Sequence, residues 1–332
     1  MKGATTRGLA VLCGLAVFTM VGCGGDDEPA AGGGGGSERK SYELAFIPAD
    51  TSNPYFISMG CGIQAEAKRV GATVQIQGPA TGSPDPTKQL AALNAVIARK
   101  PDAILFDAAD PKAFTAPLKQ AVRDGIKVLF VNQAPADRSM GSGFVITDDR
   151  YGGQLAAEEM VRLTDKTGPV LSLGFNTVKA LKDRQDGFTA TLEAQAPDME
   201  YVGNFFDPTG AADKDVGLVS AQLTRNEDLM GVYGLYSTPA ERALLAIRNA
   251  GKTGEVKVVA FDPTPRLVKA LDEGALDAFV AQKPEVIGST ATKQIIDVIE
   301  GGSAPDVTQV EPVLVTKENL EENRQFLYKD RC

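Results

Sequence analysis

From residue 42 onward the chain alternates two kinds of segment. Short runs rich in β-branched and aromatic residues recur. Many are apolar at every position, as in Ile104-Leu105-Phe106 and Val128-Leu129-Phe130-Val131. Such runs predict parallel strands covered on both faces, since a half-exposed strand would alternate apolar with polar. One set covers 42–48, 73–77, 103–106, 127–131 and 143–147; a second covers 169–175, 201–206, 231–235, 256–261 and 278–282. Between them, apolar positions fall at helical spacing. Over 88–100 these are Leu90, Leu93, Val96 and Ile97; over 56–70 they are Phe56, Met59, Ile63, Ala67 and Val70. Ten strands in regular βα order predict an α/β fold of two doubly wound parallel-sheet lobes, with a (β/α)8 barrel as the structural alternative.

The first 40 residues follow another pattern. Lys2 and Arg7 precede an uncharged stretch, 8–21, which is too short to span a membrane and suits the apolar region of an export signal. It ends in Met20-Val21-Gly22-Cys23, similar to a bacterial lipobox with Met20 in place of the usual Leu. Residues 1–22 are thus expected to be a lipoprotein signal peptide, with Cys23 lipidated; an ordinary secretory signal with a chance Cys is the alternative. Five glycines, Gly32 to Gly36, make 23–40 a flexible tether. Together these place the body on the extracytoplasmic face of a cell membrane, held by a lipid anchor. Cleavage before Cys23 would remove Lys2 and Arg7 and take the net charge from −9 to −11.

Composition removes whole classes of chemistry. The 332 residues contain no His, which excludes Ser-His-Asp and Cys-His catalysis and His-ligated zinc. An acidic chain without a long basic run is a poor partner for nucleic acid. With no Trp, stacking must come from 14 Phe and 7 Tyr. The spacing Asp207…Asp213-Lys214-Asp215 lacks an EF-hand pattern, and nothing forms a Gly-rich phosphate cradle, so no cofactor or metal is expected. Of four Cys, Cys13 lies in the signal and Cys23 would carry lipid. The remaining Cys61 and Cys332 suggest one disulfide in an exported chain, the alternative being two free thiols. At 100° per residue Cys61 falls opposite the apolar stripe of 56–70, where a returning tail could meet it.

Ligands of open α/β sheets bind beyond the carboxyl ends of strands. The polar residues there are Asn53, Asp107, Asn132, Asp148-Asp149, Asp262 and Gln282, with Tyr55, Phe56 and Tyr236 beside them. Amides and carboxylates with aromatic rings suit a sugar or polyol. Bland roles compete: Asn53-Pro54 as a turn, Asp262 as a helix cap, Arg184 as a partner for Asp183 or Asp186, and Tyr55, Phe56 and Tyr236 as core. Asp148-Asp149 reads as a helix cap at a hinge rather than a catalytic pair.

Six ordered blocks carry a resemblance: Asn53-Pro54-Tyr55-Phe56, the 100–105 segment, Thr147-Asp148-Asp149-Arg150-Tyr151-Gly152-Gly153, Arg184-Gln185-Asp186-Gly187-Phe188, the Asn249-Ala250-Gly251-Lys252 and Phe261-Asp262 pair, and Ala281-Gln282-Lys283-Pro284. The body resembles ribose/galactose-type sugar-binding proteins of ABC importers, with the type 1 periplasmic-binding fold. The terminal Cys and the Gly-Cys-Gly of the first helix resemble a subgroup of actinobacterial lipoproteins in that family. The resemblance implies a three-crossover hinge between an N-terminal lobe (41–147 plus 283–311) and a C-terminal lobe with its tail (148–282 plus 312–332). It implies ligand roles for Asn53, Tyr55, Phe56, Asp107, Asn132, Arg184, Tyr236, Asp262 and Gln282, and ABC permease subunits as partners. In this family Asp262 would accept two ligand hydroxyls, and Arg184 would fork onto ligand oxygens. Ala49 and Tyr236 depart from the usual polar residues, and Asp107 and Asn132 look exchanged. The expected function is capture and delivery of a monosaccharide or polyol, without catalysis. A ligand-presenting sensor shares every one of these residues, and a sugar-processing enzyme using Asp107 and Asp262 is the remaining alternative.

Overall fold

The computed structural model describes residues 41–208 and 212–332. The expected signal peptide, Cys23 and the tether lie outside the described residues. The first sheet is built from β1 (Glu43–Ile47), β2 (Thr73–Ile76), β3 (Ala103–Phe106), β4 (Lys127–Val131) and β5 (Phe144–Thr147). Helices α1 (Pro54–Val70), α2 (Pro86–Arg99) and α3 (Thr115–Arg123) alternate with the first four. The second sheet is built from β6 (Val170–Leu173), β7 (Tyr201–Phe205), β8 (Gly231–Gly234), β9 (Lys257–Phe261) and β10 (Ala278–Ala281). Its helices are α4 (Asp149–Leu163), α5 (Lys179–Gln195), α6 (Ala212–Arg225), α7 (Ser237–Asn249) and α8 (Pro265–Asp272). Helix α9 (Pro284–Ile299), β11 (Thr308–Val310), β12 (Val313–Thr316) and a 3₁₀ turn, Arg324–Phe326, complete the chain.

The sheets share one plan: β11-β5-β4-β3-β1-β2 and β12-β10-β9-β8-β6-β7. Among the described strand pairings, only β10–β12 is antiparallel. Two six-stranded open sheets replace the alternative of a single barrel. The short strands β11 and β12, separated by Glu311-Pro312, are additional to the ten expected from sequence. The chain passes between the sheets three times: from β5 into α4, from β10 into α9, and from β11 into β12.

The central strands are apolar almost throughout because each sheet is covered on both faces there, whereas the edge strands β2, β7 and β11 are only half-buried and carry polar residues. In β1, Leu44 and Phe46 face α1 and α9, while Ala45 and Ile47 face α2 and α3. Glycines let helices touch through their backbones. A Cβ on Gly62 would lie 2.0 Å from the Glu285 carbonyl oxygen of α9, and one on Gly288 2.3 Å from that of Met59. Helices α4 and α5 repeat the device, with Gly153 against the Arg184 carbonyl (2.0 Å) and Gly187 against that of Arg150 (2.1 Å). Gly187→Ala is therefore expected to lower stability by about 1–3 kcal/mol through overpacking. Denaturant midpoints check this, and an unchanged midpoint would show that α4 and α5 separate freely.

Candidate functional site

Both sheets reverse strand order at a switch point, between β1 and β3 and between β6 and β8. Carboxyl ends of strands from both sheets contribute to a polar network of three neighbouring hydrogen-bonded groups. On the first-sheet side, Asn53 caps α1, its side-chain oxygen accepting from the Tyr55 amide at 2.9 Å. Pro54 occupies the first turn, where its missing N–H costs nothing. Asn53 is exposed, while Tyr55 and Phe56 are buried with rings edge-on, 5.2 Å apart. The Tyr55 hydroxyl donates to Asn132 Oδ1 at 3.2 Å.

Asp107 is fully buried. Its Oδ2 accepts from the Ala49 amide (3.0 Å), and its Oδ1 from the Gln133 amide (3.1 Å) and Asn132 Nδ2 (2.9 Å). Burial pushes its carboxyl up to about 7, against the pull of these donors. Ala49 thus contributes its backbone where a polar side chain was expected. Asp107→Asn is expected to cost roughly 1–3 kcal/mol, because an amide nitrogen replacing either oxygen meets an N–H donor. The isosteric variant should also remove one carboxyl that favours acid. Asp107 folds with a raised pKa, so its contribution to stability falls as pH rises from about 4 to about 7. Melts across that window check both; a neutral substitution with unchanged pH dependence would refute the assignment.

On the second-sheet side, Arg184 is buried and fully employed at two nitrogens. Nε donates to Asp149 Oδ1 at 2.8 Å, Nη1 donates to the Leu235 carbonyl at 2.9 Å, and the guanidinium lies 3.6 Å from the centre of the Phe261 ring. Burial pushes the Asp149 carboxyl up to about 6, and the Arg184 charge opposes that shift. Asp148 caps α4 at the Tyr151 amide (3.0 Å). The adjacent acids thus divide a cap from a buried ion pair. The expected surface alternatives for Arg184 are excluded: Asp183 and Asp186 pair with Lys179 and Lys182.

Asp262 and Asn132 follow β9 and β4, equivalent strands of the two sheets, and both adopt left-handed backbone (φ 76° and 58°). Asn and Asp tolerate this region best among residues with a Cβ. Gln282 links the sheets. Its Oε1 accepts from the Thr147 hydroxyl (2.6 Å) and its Nε2 donates to Asp262 Oδ1 (2.7 Å). That same oxygen accepts from the Tyr328 hydroxyl at 2.7 Å. Tyr328 comes from the tail beyond β12, and its ring packs edge-on to Tyr55 at 5.5 Å.

The tail is fastened beyond that point. The Lys329 amide donates to Ser58 Oγ (2.8 Å), its ammonium pairs with Glu285 (2.7 Å), and Cys332 is bonded to Cys61, with Cα atoms 5.3 Å apart. Cys61 is buried beneath the tail, on the side of α1 away from the apolar stripe.

Two cavities flank the network. One, about 430 Å³, sits at the second switch point, among Phe175, Phe206, Asp207, Tyr236 and Arg242. Phe175 and Tyr236 meet edge-on at 5.3 Å, and burial pushes the Tyr236 phenol up to about 12. The other, about 570 Å³, touches both lobes through Asn132, Gln133, Asp149, Thr177 and Asp183. Tyr55, Asn132, Arg184, Asp262 and Gln282 thus converge, Asp107 stands behind Asn132, Phe56 packs into the first-lobe core, and Asn53 lies at the rim. Phe175, Phe206 and Tyr328 were not singled out from sequence, and Thr147 and Asp149 were noted there only in the strand-end segment expected to form a helix cap and hinge. Their signal is slight, namely position at a strand end or, for Tyr328, nearness to the terminal Cys. Among the described residues no cluster of three His, Cys, Asp or Glu could hold a metal, and no helix is long and apolar enough to cross a membrane.

A family model described as a periplasmic binding protein domain matches residues 44–303. The ribose import binding protein of Bacillus subtilis is 25% identical over 296 residues, spanning 89% of this chain and 94% of that protein. The D-allose-binding periplasmic protein of Escherichia coli is 28% identical, spanning 83% and 92%. Among solved structures, an ABC transporter solute-binding protein of Agrobacterium vitis, bound with α-D-tagatopyranose, superposes with a TM-score of 0.77. It is 28% identical, and the match covers 87% of this chain and all of that one.

Proposed function

The chain belongs to the periplasmic binding protein family, and on that premise we propose that it captures a monosaccharide or polyol outside the cytoplasm and delivers it to an ABC importer. The observation that carries this reading is the convergence, from strands of two sheets, of Asn132, Arg184 and Asp262. Asp262 has one carboxylate oxygen, Oδ2, without a protein partner among the described residues. Arg184 likewise has Nη2 without one. A carboxylate oxygen and a guanidinium nitrogen are the groups that grip sugar hydroxyls and ring oxygens. Phe175, Phe206 and Tyr236 offer apolar faces for C–H surfaces. The relatives' own ligands, a pentose, an aldohexose and a ketohexose by name, point to the same class.

Micromolar binding of so small and polar a solute requires about −8 kcal/mol, which is reached by enclosing it on both faces. Lobes comprising 41–147 with 283–311, and 148–282 with 312–332, would close about the three crossings. In this reading Asn132, Arg184, Asp262, Gln282 and Tyr236 meet the ligand. Tyr55 and Phe56 form its wall, Asn53 its rim, and Asp107 acts by orienting Asn132. Cys23 would carry the lipid that tethers the body beside its permease. The test is a melting-temperature scan against pentoses, hexoses, deoxysugars and polyols. A ligand at 100 times its dissociation constant adds about 2.7 kcal/mol to stability. A shift confined to one stereochemical class is expected, and no shift with any of them would overturn the sugar assignment.

A further inference from the structure

The tail residue Tyr328 stands where a ligand group would stand. A carboxylate oxygen offers two lone-pair sites. On Asp262 Oδ1 both are used, one by Gln282 Nε2 and one by the Tyr328 hydroxyl, each at 2.7 Å. Only Oδ2 is left. Two adjacent hydroxyls of one sugar lie side by side at about the spacing of the two carboxylate oxygens, so the paired grip uses an open site on each oxygen, and here one oxygen is taken by the protein itself. Nothing in the strand order requires this. Tyr328 lies twelve residues beyond β12, and it reaches Asp262 because the chain after it is fastened to the first-sheet helices through Ser58, Glu285 and Cys61. Its ring meets Tyr55 edge-on, which fixes the ring as well as the hydroxyl.

We propose that Tyr328 is a specificity-determining residue of the sugar site: held by the Cys61–Cys332 bridge, its hydroxyl replaces one ligand hydroxyl on Asp262, so that the site selects ligands presenting a single hydroxyl to that carboxylate. Deoxysugars, and polyols with one hydroxyl at that position, are the class it fits. The inference rests on the sugar-binding reading above and deepens it.

The experiment compares the wild-type protein with Tyr328→Phe, which keeps the ring and removes only the hydroxyl. Affinities are measured by calorimetry for D-ribose, D-allose, D-galactose and D-glucose and for single-deoxy forms of each, including 2-deoxy-D-ribose and D-fucose. The deciding quantity is the parent-to-deoxy affinity ratio, which a merely structural role would leave unmoved. In wild type at least one deoxy form should bind as tightly as its parent, and in Tyr328→Phe the parent should gain about tenfold over it, or about 1.4 kcal/mol. A gain of threefold or more, or binding of a parent sugar by the variant alone, supports the proposal. A smaller change, or one toward the deoxy form, overturns it and leaves the sugar reading standing. Silence from both proteins overturns the sugar reading as well. Cys332→Ser, which retains Tyr328 but frees the tail, should move the ratio in the same direction as Tyr328→Phe, and movement the other way would count against the bridge's part in it.

Discussion

Arg184→Met is expected to lower stability by about 3–5 kcal/mol, the usual cost of removing one partner from a buried ion pair. Met is an unbranched apolar side chain that can fill the space of the Arg184 stem, so the loss is mainly of the guanidinium: its pairing with Asp149, its bond to Leu235 and its contact with the Phe261 ring. Asp149 would remain buried without its counter-charge, and the Leu235 carbonyl would lose its donor. The pH dependence gives the loss its signature. With Arg184 present, the Asp149 carboxyl already sits at about 6, above the roughly 3.9 of an unfolded chain. A carboxyl whose folded pKa is raised costs stability as pH climbs from its unfolded to its folded value, and removing Arg184 moves the folded value higher still. The gap between variant and wild type should therefore open above about pH 6 and narrow below it. Urea melts at pH 5.5 and pH 8 read this directly. Adding Asp149→Leu should restore most of the loss, since an apolar pair replaces an orphaned charge. A gap equal at both pH values, or a double variant no better than the single, would show that Asp149 is solvated in solution.

Cys332→Ser is the second large effect. The bridge closes a sequence separation of 271 residues, and the loop-entropy relation gives about 5 kcal/mol as an upper figure for its removal. At about 2 °C per kcal/mol for a body of this size, melting should fall by up to about 10 °C. A reducing agent should reproduce the fall in wild type and leave the variant unmoved. A change below about 1 kcal/mol would mean that the tail is held by its other contacts, Lys329 on Ser58 and Glu285.

Much of this architecture was legible because burial writes itself into the strands. Ile104-Leu105-Phe106 can be apolar at every position only where both faces are covered, and β3 is so covered. The polar residues at strand ends were legible for the complementary reason, since a core does not tolerate Asp or Asn there without a use. What was not legible is which neighbour each would choose. Asp148 and Asp149 look alike in sequence. One caps a helix at the surface, and its neighbour turns inward to Arg184 because residues adjacent on a helix start diverge by about 100°. Asp107 read as a ligand group because it ends a strand and matches a polar position of the resembled family, while the position of β3 between β1 and β4, which sequence does not display, turns its carboxylate onto Asn132 and the amides of Ala49 and Gln133. Tyr328 follows no periodic segment at all. Its place is dictated four residues later, by a cysteine whose partner lies near the other end of the chain. Strands β11 and β12 escaped because three or four residues around Glu311-Pro312 carry too little pattern to separate strand from turn.

The sulfur bond also changes what a break in the chain means. Between Cys61 and Cys332 the polypeptide is a closed ring, and almost the whole body lies on it. A single cut in any loop of that ring leaves two polypeptides still joined through the disulfide, not two separate fragments. Both sheets remain joined until the sulfurs are reduced, so proteolytic nicking and loss of the folded body become separate events. On a gel, a nicked sample should run as one chain without reductant and as two with it.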